Sequence, residues 1–324
     1  MSTELKLDKF VKYALFVLAY NVVVILWGVF LRASKSGDGC GQHWLTCHGE
    51  VLPSAPEMKT VIEFSHRLTS GLAFIAVLIL VIWAFRKFPK GDAIRKTALI
   101  SFIFIITEAL VGAGLVLTGN TAETLTPARP FWAAGHLTNT FILLAFLTLT
   151  AWFASGGKTF NFQVDRKVLL FLALAIAGIF FVGVSGSMAA LSSMLFPSES
   201  LAEGIQKDFS SASHILLRLR ISHPISSIVV GVFLIFLAGW FKSRAKENVW
   251  INRWTNALTI LIIVQLAFGA LTLLTLAPIV MQLGHLLLAD AVWIVFVLMS
   301  ASVLAHESEA SEFTFPAEAQ GSLS

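Results

Sequence analysis

Long apolar runs alternate along the chain with short polar connections. Eight runs reach or approach 20 residues: Tyr13–Leu31, His66–Phe85, Thr97–Thr118, Phe131–Ala154, Val168–Met194, Ile221–Phe241, Trp254–Leu276 and Val280–Ala305. At a rise of 1.5 Å per residue, about 20 apolar residues span a hydrocarbon layer about 30 Å thick. The pattern therefore predicts eight transmembrane helices and no soluble domain. Pro278 parts the last two runs, which predicts a tight hairpin rather than one long span. Eight crossings return both termini to one side. The first run lacks a small-residue cleavage site and reads as an uncleaved anchor.

Composition agrees. Of 324 residues, 56% are hydrophobic and 13% charged, with mean hydropathy +0.81. Soluble domains carry about 25% charge, so an ordinary soluble enzyme is excluded, as is a disordered chain. A net charge of +4 could suggest nucleic acid until the positions are read. Lys6, Lys9, Lys12, Arg86, Lys87, Lys90, Arg95, Lys96, Lys158, Arg166, Lys167, Lys242, Arg244, Lys246 and Arg253 all fall on one face, 15 of 23 basic residues. Short basic loops stay in the cytoplasm. Both termini are thus expected inside the plasma membrane of a bacterial cell, with no nucleic-acid partner.

The halves repeat. Glu63-Phe64-Ser65-His66 parallels Arg220-Ile221-Ser222-His223, and Glu108-Ala109-Leu110-Val111-Gly112 parallels Gln265-Leu266-Ala267-Phe268-Gly269, both at an offset of 157. Gly135-His136-Leu137 parallels Gly284-His285-Leu286 at 149. The expected fold is all-α and polytopic: two tandem four-helix bundles with a pseudo-two-fold axis along the membrane normal. The expected divisions are an arm at 1–12, bundles at 13–157 and 158–306, and a disordered tail at 307–324.

Four histidines, His66, His136, His223 and His285, sit near the starts of even-numbered spans, two per repeat. Intramembrane imidazole is costly unless it faces the protein interior and finds a partner. One pair per four-helix unit suits a haem iron held between facing helices. The plainer alternative is a hydrogen bond from each histidine to a neighbouring helix. Zinc is disfavoured there, because no helix offers His-x-x-x-His or a nearby Cys.

The first outer loop reads Gly37-Asp38-Gly39-Cys40-Gly41-Gln42-His43-Trp44-Leu45-Thr46-Cys47-His48-Gly49 and holds the chain's two cysteines. On an oxidising face, a Cys40–Cys47 disulfide is the direct inference, and a reversible dithiol couple the sharper one. Cys-x-x-Cys-His, which attaches c-type haem, is absent. A zinc site from Cys40, His43, Cys47 and His48 is the weaker alternative.

This loop, Glu63-Phe64-Ser65-His66-Arg67 and the paired histidines together resemble the heme A synthase family, from Trp27 to about Ala305. The resemblance implies oxidation of the haem O methyl group to the formyl group of haem A, for terminal oxidases. It implies that His66 and His136 ligate the substrate haem, and that His223 and His285 ligate a haem b cofactor. It implies haem O synthase and terminal oxidase assembly as partners, and leaves a homo-oligomer open. By the same resemblance Glu63 is the catalytic carboxylate. It lies three residues before His66 on one helix face, where it could take up a proton or steady positive charge at the haem rim. The alternative for Glu63 is a solvated interfacial residue at a helix N-terminus.

Departures from the family are Pro224 after His223, the absence of a second cysteine pair between Glu199 and Arg220, and Glu108 where Gln is usual. Glu108 is read as a neutral Gln mimic, Asp290 is unassigned, and Arg220 suits a haem propionate. Two other classes compete. A di-haem b electron carrier needs the same histidines but no lone carboxylate at one haem edge. A small-molecule transporter fits the repeat but not helices free of midplane breaks.

Overall fold

The computed structural model describes residues 8–54 and 56–314; Lys6 and the last ten residues of the expected tail lie outside them. Ten helices follow in order: α1 Lys9–Ala33, α2 Met58–Lys87, α3 Ala93–Leu117, α4 Arg129–Ala154, α5 Arg166–Leu195, α6 Leu201–Phe209, α7 Ile215–Arg220, α8 Ser222–Arg244, α9 Val249–Leu274 and α10 Ile279–Thr314. Eight helical stretches, with α7 and α8 taken together, are long and apolar enough to cross a membrane. Among the described residues there is no strand, only an isolated bridge between Cys47 and Glu50.

Local chemistry explains the boundaries. Asp92, Asp165 and Asn248 accept hydrogen bonds from the first turns of α3, α5 and α9, satisfying backbone donors that the helix leaves free. Pro130 sits in the first turn of α4, where its missing N–H costs nothing. Leu276 and Ala277, both left-handed (φ 60° and 53°), make the hairpin before Pro278.

The helices begin earlier than the apolar runs suggest. Helix α2 starts at Met58, and α7 puts helix ahead of Ile221. Backbone hydrogen bonding continues into polar sequence that hydropathy excludes from a span. Helix α10 likewise continues through Thr314, so the first eight residues of the expected disordered tail are helical. Ion pairs from Glu307 to Arg244 and from Glu309 to Lys158 tie that extension to neighbouring connections.

Helices α1 to α4 pack as a closed ring, and α5, α8, α9 and α10 pack in chain order. Each quartet encloses much of an apolar core. The seam between quartets is formed where α4 meets α5 and α10, and where α1 meets α10. There Trp293 donates its indole N–H to the Phe141 carbonyl at 2.7 Å and stacks on the Phe141 ring. Phe16, Ile75, Phe181, Phe236 and Ile260 are exposed on outward faces, as lipid-facing positions require. All six left-handed non-glycine residues described (Lys35, Leu45, His48, Ala122, Leu276, Ala277) lie on the face that carries the disulfide loop. Backbone strain of this kind gathers where a structure is functionally constrained.

Candidate functional site

The site begins with the loop between α1 and α2. Cys40 and Cys47 are joined in a disulfide, which leaves no thiolate for the zinc alternative. Gly39 lies so close to α2 that a Cβ there would collide with the Lys59 carbonyl. The Thr60 hydroxyl donates to the Gly39 carbonyl at 2.6 Å. Docked this way, the loop presents the Cys40 N–H to Glu63 Oε2 at 2.8 Å.

Glu63 is 2% exposed, so it is not the solvated residue of the alternative reading. Its Oε1 pairs with the Arg67 guanidinium, four residues on. Arg67 Nη1 also donates to the carbonyls of His43 and Thr46, at 2.6 and 2.8 Å. One arginine thus joins the buried carboxylate to the disulfide loop. Sequence reading counted Arg67 in the motif but gave it no role, although Glu and Arg four apart on a helix is a visible signal.

Arg220, the repeat counterpart of Glu63, is already paired. It binds Asp208 at the end of α6 at 2.6 Å and the Gly204 carbonyl at 3.1 Å. Its guanidinium thus ties the end of α6 to the junction of α7 and α8. In both quartets a charged side chain three residues before the histidine fastens the overlying connection.

The four histidines are all partly buried and lie within the first three turns of their spanning stretches. Counting from Met58, Arg129, Ile215 and Ile279, they fall about 9–12 Å down their helices at 1.5 Å per residue. The rings of His223 and His285 stand 6.1 Å apart, centroid to centroid, with planes at 87°. Two metal–nitrogen bonds of about 2 Å each, with two ring radii added, come to about the same length. Among the described residues, no group of three or more His, Cys, Asp or Glu is placed around a free metal ion. An iron on two of these imidazoles therefore needs its remaining ligands from a porphyrin, and this donor set fits a haem.

Three of the imidazoles rest against glycine. A Cβ on Gly28 would lie 3.0 Å from the His66 ring, on Gly186 2.8 Å from the His223 ring, and on Gly269 2.9 Å from the His285 ring. Gly28 and Gly186 occupy like places on α1 and α5. The fourth counterpart, Gly112, has nothing within 4 Å of such a Cβ. The repeat marks Gly112 and Gly269 as counterparts, but nothing in the chain's sequence tells which glycines seat an imidazole.

The ring nitrogens differ in what backs them. His223 Nδ1 is 3.2 Å from the Val182 carbonyl oxygen, and His136 Nδ1 is 3.1 Å from Glu108 Oε1. The Nδ1 atoms of His66, His136 and His285 make no hydrogen bond, so the approach of Glu108 to His136 is a charge contact. His43 contributes only its carbonyl, to Arg67; His48 Nε2 bonds the Gly39 carbonyl; His214 caps α7. Asp290 is 1% exposed on α10, and neither of its oxygens has a partner.

A family model for cytochrome oxidase assembly proteins, COX15-CtaA, matches residues 11–297. A protoheme IX farnesyltransferase of Thermus thermophilus is 44% identical over 292 residues, which cover 90% of this chain and 48% of that protein. The chain thus spans about half the length of the Thermus relatives it matches. A heme A synthase of Shouchella clausii is 27% identical over 297 residues, covering 89% of this chain and 95% of that protein. One from Halalkalibacterium halodurans is 43% identical over 98 residues, 30% of this chain and 33% of that protein.

Proposed function

The chain belongs to the COX15-CtaA family of cytochrome oxidase assembly proteins, and from that premise we propose that it oxidises the methyl group of haem O to the formyl group of haem A. The observation that carries this reading is the two helix-borne histidine pairs in the first turns of their spans, one per quartet, beside a buried carboxylate in only one of them. The match to a heme A synthase along 95% of that protein supports it. The farnesyltransferase name belongs to proteins about twice as long, of which this chain matches less than half.

In this reading His66 and His136 hold haem O as substrate, and His223 and His285 hold haem b. Haem b supplies one-electron redox capacity near the substrate. Glu63 is the catalytic carboxylate, kept in place by Cys40 and Arg67. If His66 and His136 both held the substrate iron, they would close it to oxygen, which would favour electron withdrawal and water attack. Each hydroxylation of the methyl carbon would then take one water and release two protons and two electrons, which haem b would pass on one at a time to an external electron acceptor. The second gives a geminal diol, which loses water to the aldehyde. The disulfide face lies outside a bacterial plasma membrane and both termini lie inside, by the bias of basic residues. Haem O synthase and the terminal oxidase assembly machinery are the partners this chemistry calls for. A carrier of electrons between two haems b would not need Glu63 on one side alone.

The test is expression with a haem O supply, followed by mass spectrometry of extracted porphyrins. A formyl porphyrin that disappears in Glu63→Gln is the expected result; unchanged haem O with the wild-type chain would overturn the reading. Formyl oxygen derived from oxygen gas rather than labelled water would overturn the water-attack step.

A further inference from the structure

We propose that Glu108 is a positioning residue for His136, and that it makes the N-terminal iron site easier to oxidise than an amide in its place would. The inference rests on the reading of His136 as a haem ligand, and it replaces the expectation that Glu108 merely imitates Gln.

Every polar neighbour found for the Glu108 carboxylate is a donor or can act as one. Thr140 Oγ1 donates to Oε1 at 2.5 Å, and Asn139 Nδ2 donates to Oε2 at 2.5 Å. The Asn139 amide is itself oriented, because its Oδ1 accepts from Thr107 Oγ1 at 2.5 Å and its Nδ2 also donates to the Phe104 carbonyl. His136 Nδ1 stands 3.1 Å from Oε1, an ion-pair contact that lies off the line of an N–H···O hydrogen bond. An imidazole that binds iron through Nε2 carries its hydrogen on Nδ1, and the group facing Nδ1 sets the tautomer, the ring plane and the basicity of the ligand. A carboxylate there makes the imidazole a stronger donor and favours the more highly charged iron. It also answers the cost of an acid at this depth, because several donors surround it.

The C-terminal half is built otherwise. Gln265, at the matching position, donates Nε2 to the His285 backbone carbonyl at 3.1 Å. Its Oε1 and the His285 Nδ1 remain without partners. His223 faces only a neutral carbonyl and a serine hydroxyl. Among the four imidazoles, His136 alone has a carboxylate at Nδ1 within the described residues. The asymmetry lies in the groups behind the ligands, where a comparison of the ligands themselves would not find it.

The experiment is a spectroelectrochemical titration of the purified full-length protein with its bound haem. The N-terminal component is identified as the one lost in His66→Ala. In Glu108→Gln that component should move to higher potential, lowering its oxidised-to-reduced ratio at fixed potential by tenfold or more, which is 59 mV for a one-electron couple. The C-terminal component should not move. If Glu108→Gln retains no N-terminal haem, Glu108→Asp is titrated instead, and a smaller shift in the same direction is expected. An N-terminal component that stays at the wild-type potential in the variant titrated overturns the proposal. A wild-type protein without haem, or without formyl product, would overturn the functional reading instead.

Discussion

The Glu63 carboxylate accepts a hydrogen bond from the backbone N–H of Cys40 at 2.8 Å, so the candidate catalytic acid and the disulfide loop form one unit. A disulfide closing a ring this small restrains the unfolded loop by about 2–3 kcal/mol. The paired variant Cys40→Ser, Cys47→Ser should therefore release the loop from α2 while both haems stay bound. The expected outcome is an unchanged Soret absorbance with formyl porphyrin reduced at least tenfold, read by mass spectrometry. Full formylation in that variant would show that the loop is dispensable for holding Glu63.

Glu63→Gln separates charge from shape. The amide oxygen can still accept from Cys40, but the ion pair to Arg67 is lost. Removal of an acid or base from a proton-transfer step costs about 10²–10⁴-fold in rate. Formyl porphyrin should fall by that order while haem content holds nearly constant, and the thermal midpoint should drop because Arg67 loses its carboxylate. Formyl porphyrin at the wild-type level in Glu63→Gln would assign Glu63 to the fold rather than to the chemistry.

Arg67→Lys tests the other end of the same clasp. Lysine keeps the charge but cannot reach Glu63, His43 and Thr46 together with a planar fork. The loop should loosen by about 1–2 kcal/mol, seen as faster reduction of the Cys40–Cys47 disulfide by an impermeant thiol. Wild-type reduction kinetics would remove Arg67 from the account.

Hydropathy made the eight spans legible, because a backbone in lipid must satisfy its hydrogen bonds within a helix. It could not show where helix outruns lipid, and so Met58 and Ile215 begin their helices earlier than expected. The Glu63–His66 spacing was readable, but the burial of Glu63 was not, since it depends on a loop folding back over α2. Gly28, Gly186 and Gly269 were invisible for a similar reason: only the approach of a neighbouring helix tells a packing glycine from any other. Glu108 stood out as an acid in an apolar run, yet its donors, Asn139 and Thr140, come from a different helix.

Arg220 and Asp208 form the corresponding latch over the C-terminal quartet. Both side chains are mostly buried, and removing one leaves the other uncompensated. Arg220→Ala should expose the segment around α6 to limited proteolysis and lower the C-terminal haem content. The reciprocal pair Arg220→Asp, Asp208→Arg should restore part of both. Non-additivity in that double-mutant cycle would measure the pair itself. Strict additivity would mean that Arg220 acts through some other partner.

The glycine seats give a test that folding energetics alone cannot mimic. Gly→Ala inside a helix raises helix propensity by about 1 kcal/mol, so the apoprotein should not be weakened overall. The added methyl nevertheless meets the His66 ring from Gly28, the His223 ring from Gly186 and the His285 ring from Gly269. Displacing a packed ring costs about 1–3 kcal/mol, which corresponds to roughly fivefold to hundredfold weaker haem retention. Gly28→Ala should lose haem from the N-terminal half alone, and Gly186→Ala and Gly269→Ala from the C-terminal half alone. Transfer of haem to an apo-globin acceptor would time each loss. Gly112→Ala, whose new methyl meets nothing within 4 Å, should behave as wild type. Equal retention across all four variants would mean that these imidazoles do not carry the iron.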